Sequence, residues 1–249
     1  MSELPFAATT PVSVARVGLK ARDAEGLAAY YRSVVGLQEL SRADGAITLG
    51  AANRPLLVIE ADAAAKPDDP RSAGLFHTAF LLPGRADLGR WINHAATNNI
   101  RVDGASDHLV SEALYLTDPE GNGIEIYADR LPKDWTWNGD KVAMATERLN
   151  LPSVIAEVPA GDAGWQGAPE NSIVGHVHLR ASAGRKRPRP GGTRSSASTR
   201  WPNMAARRCS CRQAAIITTL APMPGRVRVR AAAIRLVPAS PGSRCGRTR

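Results

Sequence analysis

The hydrophobic and polar positions of the first 130 residues alternate between two periods. Val14–Ala21 has the two-residue period of a half-buried strand, with Val17 and Leu19 on one face. Leu27, Tyr30, Tyr31, Val34 and Val35 then recur at helical spacing. Asp23 precedes them as an N-cap, and Gly36 follows where a left-handed residue ends a helix. Three strands are predicted next, near Leu37–Ser41, Ala46–Leu49 and Pro55–Ile59, with Ala43-Asp-Gly45 as a hairpin turn. After a proline-containing loop the order repeats. A strand at Leu75–Leu82 and a helix at Arg85–Asn98 lead to strands near Ile100–Val102, Ser111–Leu116 and Ile124–Tyr127. The chain thus carries two β-α-β-β-β units in tandem, an internal repeat of element order.

The last two strands flank Asp118-Pro-Glu-Gly-Asn-Gly123, which combines a side-chain acceptor, a fixed φ and two glycines in a tight turn. Beyond it Ile124 and Ile126 face one side of the strand, and Glu125 and Tyr127 the other. A mid-strand carboxylate is either a solvated surface group or an acid directed into a cavity. Solvation is the commoner of the two, because acids are rarely buried without a partner.

Charge divides the chain differently. Of 32 basic residues, 16 fall at 181–249, and none of the 23 acidic residues does. Residues 1–180 are therefore acidic, and the net charge of +9 comes from the tail. All three cysteines (Cys209, Cys211 and Cys245) also lie in the tail, so the body has no disulfide framework. No basic, apolar leader opens the chain and no apolar run reaches spanning length, so a cytoplasmic protein is expected.

Val17-Gly-Leu-Lys-Ala-Arg-Asp23, Tyr30-Tyr31, Val34-Val-Gly-Leu37 and the ending Leu116-Thr-Asp-Pro-Glu-Gly-Asn-Gly-Ile-Glu-Ile-Tyr127 resemble the vicinal-oxygen-chelate superfamily of glyoxalases, bleomycin-resistance proteins and extradiol dioxygenases. Leu75-Phe-His-Thr-Ala79, Ala105–Leu116, Ile126–Arg130, Trp135-Thr-Trp137 and Met144-Ala-Thr146 are similar, more narrowly, to a two-domain family of the catechol-2,3-dioxygenase kind. The resemblance implies an α+β fold in which paired βαβββ modules form a cup-shaped mixed sheet, with the second domain incomplete here. Residues 1–11 are read as an arm, 12–130 as the first domain, 131–171 as a linker, 172–180 as the first strand of a second domain, and 181–249 as a tail.

By the same resemblance the metal ligands of a cup stand at the start of its first strand, the start of its fifth and on its last. In the first domain these positions are Arg16, His77 and Glu125. Arg16 is permanently cationic and cannot bind a metal. His77 and Glu125 are therefore read as a vestigial or alternative site, or as a pair held by Arg16. His176 falls in the second domain where Arg16 falls in the first, and is read as the residual first ligand of a C-terminal site. His178 shares its face two residues on. His108, beside a turn, is expected to be a surface or hydrogen-bonding histidine, and His94 a solvated one.

After Arg180 the pattern stops. Residues 181–249 are rich in Arg, Pro, Ser and Ala, without strand or helix period. They lack the aromatic interleaving of a nucleic-acid arm and the amphipathic period of a membrane-surface helix. The genetic code supplies a third reading. Cys209–Val227, shifted by one base, can encode Leu-Phe-Leu-Ser-Thr-Gly-Gly-Tyr-His-His-His-Ile-Gly-Ala-Asn-Ala-Trp-Gln-Ser, which resembles the family's strand bearing the second histidine ligand. The tail is accordingly read as out of frame from near residues 180–184.

The resemblance implies Fe(II), or Mn(II), as the metal, and a catechol-type diol and O2 as substrates. With His176 alone left of its site, the expectation is a chain that holds no metal stably and has no intact catalytic residues or ring-cleaving activity. Two other readings stay open: a glyoxalase-like lyase, isomerase or thiol transferase using the first domain, and a non-enzymatic small-molecule binder of the bleomycin-resistance kind. No specific nucleic acid or membrane is expected as a partner, and a homo-oligomer stays open.

Overall fold

A computed structural model describes Pro5, Ala7, residues 12–69 and 72–180, and the backbone of short strand segments at 182–183, 223–224 and 236–238. The rest of the predicted tail lies outside the described residues. The first module runs β1 (Val12–Val14), β2 (Val17–Ala21), α1 (Ala24–Tyr30), β3 (Gln38–Ala43), β4 (Ala46–Ala51) and β5 (Arg54–Ala61). The second runs β6 (Gly74–Leu81), α2 (Arg85–Thr97), β7 (Gly104–Asp107), β8 (Ser111–Thr117) and β9 (Gly123–Asp129). The linker holds a hairpin, β10 (Trp137–Asn138) and β11 (Lys141–Val142), and a short helix α3 (Leu151–Ile155). The last full strand is β12 (Ile173–Arg180).

Local chemistry explains the boundaries. The Asp23 carboxylate accepts from Gly26 N at 2.9 Å and opens α1. The helix continues as a π-helical turn over Tyr31–Val35, and Gly36 closes it at φ +78°. Asp44 and Gly45 both take positive φ, as a two-residue hairpin turn of the I′ type requires. Three expectations shift. The strand expected over Val14–Ala21 breaks at Ala15-Arg16. The strand expected at Ile100–Val102 forms at Gly104–Asp107, because Ile100 and Val102 pack against the core before pairing begins. Short strand segments also occur beyond Arg180, with Val12–Val14 antiparallel to Leu236–Pro238.

The two modules share one topology. In each the first strand lies parallel to the last, and the other two continue antiparallel, giving the orders β2-β5-β4-β3 and β6-β9-β8-β7. They form two mixed sheets, as paired βαβββ modules are expected to, and at the free edge of β6 strand β12 pairs antiparallel and makes the second sheet five-stranded. The segment read as the start of another domain thus completes a sheet of the first.

One hydrophobic core joins both modules and the linker, from Val17, Leu27 and Leu57 through Leu88, Trp91 and Ile126 to Leu149 and Val154. Trp91 Nε1 donates to Val34 O at 2.8 Å and pins α2 to the end of the first helix. The opposite face of the second sheet carries a smaller cluster of Ala79, Leu81, Ala113, Tyr127 and Ile173. Buried Glu112 on β8 accepts from Arg85 Nε at 2.6 Å and Arg130 Nη2 at 3.1 Å. Arg85 reaches on to Ser153 O and Glu157, so this network fastens the linker to the second module.

Candidate metal centre

The site builds from three adjacent strands. His77 is on β6, Glu125 on β9 and His176 on β12, and β6 lies between the other two. The turn before Glu125 is fixed by Asp118, whose buried carboxylate accepts from Glu120 N, Asn122 N, Asn122 Nδ2 and Tyr31 Oη at 2.8–3.0 Å. Gly123 lets β9 close on β6, since a Cβ there would stand 2.1 Å from Phe76 O.

His77 Nε2 lies 2.9 Å from Glu125 Oε2, His176 Nε2 lies 3.1 Å from the same oxygen, and the two Nε2 atoms are 3.3 Å apart. His77 and Glu125 are 6% and 3% exposed, and His176 is half-buried. Burial pushes the Glu125 carboxyl up, but the hydrogen bonds of His176 and His77 outweigh it and hold the group below the ordinary carboxylate range. Hydrogen bonding alone leaves this cluster awkward. If both imidazoles donate to Oε2, their two N–H groups face each other across 3.3 Å. A divalent cation removes the conflict. Three ligands at right angles, each about 2.1 Å from a metal, have atoms about 3 Å apart, which is the triangle these donors form. Two neutral imidazoles and one carboxylate on one face are the donor set that suits non-haem Fe(II).

The sequence placed these residues in two separate centres, and the structure brings all three together. Arg16 holds neither His77 nor Glu125, because the partners of Glu125 are the two histidines. The expectation that no metal is held stably assumed His176 to be alone, whereas His77 and Glu125 stand beside it in a group that could hold a metal. His178 lies beside the site, its ring centroid 4.8 Å from that of His77 and 4.9 Å from that of half-exposed Phe76. Desolvation, followed by His77 and His176, lowers its pKa. His94 is partly exposed, as expected of a helix-surface histidine, and is also tied down: Nε2 contacts Ser33 O at 2.9 Å, and the Trp165 ring is 6.1 Å from its own.

Three groups around the centre were not singled out from sequence. Tyr115, two positions from Ala113 on the same face of β8, stands near Glu125, and burial, followed by that carboxylate's charge, raises its phenol pKa. Tyr115 Oη also meets His108 Nε2 at 2.8 Å, while His108 Nδ1 contacts Ala145 O at 2.9 Å. His108 is thus a hydrogen-bonding histidine, as expected, and it faces the site through Tyr115. Tyr127 Oη lies 3.3 Å from His176 Nδ1. Asp129, two residues further along β9, has an Oδ1 without a partner, and burial pushes its carboxyl up to about 7. The alternation that placed Tyr127 on the face of Glu125 continues to Asp129, a signal that could have found it.

Residues 13–126 match the model of the Glyoxalase/Bleomycin resistance protein/Dioxygenase superfamily. The match covers a little under half of the chain. More particularly, the chain is 40% identical over 169 residues to the catechol-2,3-dioxygenase of Bacillus subtilis (strain 168), covering 66% of this chain and 58% of that protein. The chain thus spans little more than half the length of this relative. It is 23% identical over 180 residues to biphenyl-2,3-diol 1,2-dioxygenase 2 of Rhodococcus globerulus, covering 68% of this chain and 90% of that one. Among solved structures it is similar to a glyoxalase/dioxygenase from Nostoc punctiforme (TM-score 0.40, 20% identity, 48% of this chain and 92% of that one). A lactoylglutathione lyase from Agrobacterium tumefaciens gives a TM-score of 0.38 at 21% identity, over 50% of this chain and 97% of that one.

Proposed function

We infer that the chain is an extradiol-type metalloprotein, with a divalent metal held by His77, Glu125 and His176 and a catechol-type diol as its substrate. The observation that carries this reading is the convergence of the three donor atoms, all within 4.8 Å of one another. No His, Asp or Glu occurs in residues 181–249, so imidazole and carboxylate ligands come from the body alone. Similarity to two diol dioxygenases supports the substrate class.

Fe(II), when bound, supplies the one-electron chemistry by which O2 reacts with an aromatic diol. The protein's own groups prepare that site. Tyr115 stays protonated at neutral pH, its phenol ring standing near Glu125. His108 contacts the Ala145 carbonyl through Nδ1, so Nδ1 carries the proton and Nε2 accepts from Tyr115 in the neutral ring. Tyr127 orients the His176 ring from behind. The half-exposed Phe76 and His178 rings stand at the edge of the site, where a planar ligand meets apolar and aromatic surface.

The test is anaerobic reconstitution with Fe(II), followed by catechol and air. About one iron per chain and O2 uptake coupled to ring opening are expected. Iron bound without O2 uptake removes the dioxygenase reading and leaves the metal site; no iron bound removes both.

A further inference from the structure

β12 carries an irregularity on which the metal centre depends. In a regular strand residues two apart share a face, so Val174 and His176 belong together. They lie on opposite faces. Val174 is buried in the main core, whereas His176 meets His77 and Glu125 on the face that carries Ile173 and Ala79. The pairing accounts for the reversal. Val174 is opposite Phe80 and His176 is opposite Ala79, so two steps along β12 answer one step along β6, and Gly175 is the extra residue. One inserted residue reverses the facing of everything beyond it. Val177 accordingly packs against the main core.

Glycine is needed at this bulge because of what covers it. A Cβ on Gly175 would stand 1.9 Å from Tyr127 Oη, 2.8 Å from Tyr127 Cζ and 3.1 Å from Leu81 Cβ. Tyr127 is buried and cannot swing clear, and its hydroxyl is the group that contacts His176 Nδ1. The ring that closes over the bulge is therefore the ring that orients the ligand.

We propose that the Gly175 bulge is the positioning device of this centre, turning His176 out of the core-facing row and into line with His77 and Glu125. The proposal rests on the metal-site reading above. A β-branched residue at 175 favours a regular strand, which directs residue 175 to the site and His176 to the core. Deleting Gly175 has the opposite consequence, since Ile173, Val174, His176 and Val177 then alternate regularly with His176 still facing the site.

The experiment measures Co(II) affinity of the full chain from its visible spectrum, with circular dichroism and thermal unfolding of each metal-free variant. Gly175→Val is expected to lose affinity by about 100-fold or more, in the range for a displaced ligand or its support. The Gly175 deletion is expected to stay within about tenfold of the parent, less than the loss that a displaced support produces. Parent-like affinity in Gly175→Val overturns the proposal, as does a deletion variant that loses the metal or fails to fold. Should Gly175→Val not fold, the deletion decides alone. Failure of the parent chain to bind Co(II) marks instead the failure of the metal-site reading.

Discussion

Glu125 shows how little one residue's sequence context reveals. Between Ile124 and Ile126 it reads more readily as a surface acid, yet it is 3% exposed and lies against two imidazoles. A buried carboxylate in that company is held by charge or by metal, and removing its charge separates the roles. Glu125→Gln is expected to lower Fe(II) or Co(II) affinity by at least about 100-fold, measured by equilibrium dialysis. Unchanged affinity means that the histidines bind without it. Phe76 makes a different contribution. Its ring is 50% exposed and touches His178, so truncation leaves the core intact. Phe76→Ala is expected to weaken catechol binding to the metal-loaded chain about 5- to 10-fold, the value of an aromatic contact. Metal affinity stays constant; equal catechol affinity in both proteins excludes the ring from binding.

At the scale of elements, much was legible because the signals were local. Asp23 as a cap, Asp44-Gly45 as a turn and Asp118 as the acceptor of the last turn each act within a few residues. What was not legible is long-range: β12 pairs with β6 across roughly a hundred residues, and nothing in either strand names its partner. The bulge at Gly175 hid the facing of His176 for a related reason, since two-residue alternation assumes a regular strand. Partly buried ionic links between elements offer a separate test. Asp107 on β7 is joined to Arg130 by two contacts, at 2.6 and 2.7 Å, and that hydrogen bonding lowers its pKa. A carboxyl with a lowered folded-state pKa stabilises the fold above its unfolded value and loses that contribution as pH falls through the folded one. Asp107→Asn is therefore expected to cost about 1–2 kcal/mol near neutral pH. The parent and variant denaturation curves should converge below the ordinary aspartate pKa of about 3.9. A difference that persists there assigns the loss to packing. Glu112→Ala leaves Arg85 and Arg130 without their shared buried partner, and should cost about 3 kcal/mol or more in urea unfolding.

Across the whole molecule, the second sheet is where the body and the segment after the linker become one unit. The linker core residues Leu149 and Val154 and the Arg85 network hold the path from β9 to β12, so the third donor arrives by a packed route. The basic run at 181–249 adds no imidazole or carboxylate to this arrangement. One property of the full chain follows from this arrangement, the binding of a single divalent metal through residues from β6, β9 and β12. Metal content after Fe(II) reconstitution and desalting, measured on the parent chain and on His176→Ala, tests it most directly. About one iron per parent chain and loss of at least about nine-tenths of it in His176→Ala is the result predicted for a three-ligand site. Equal iron in both proteins, or none in the parent, contradicts it.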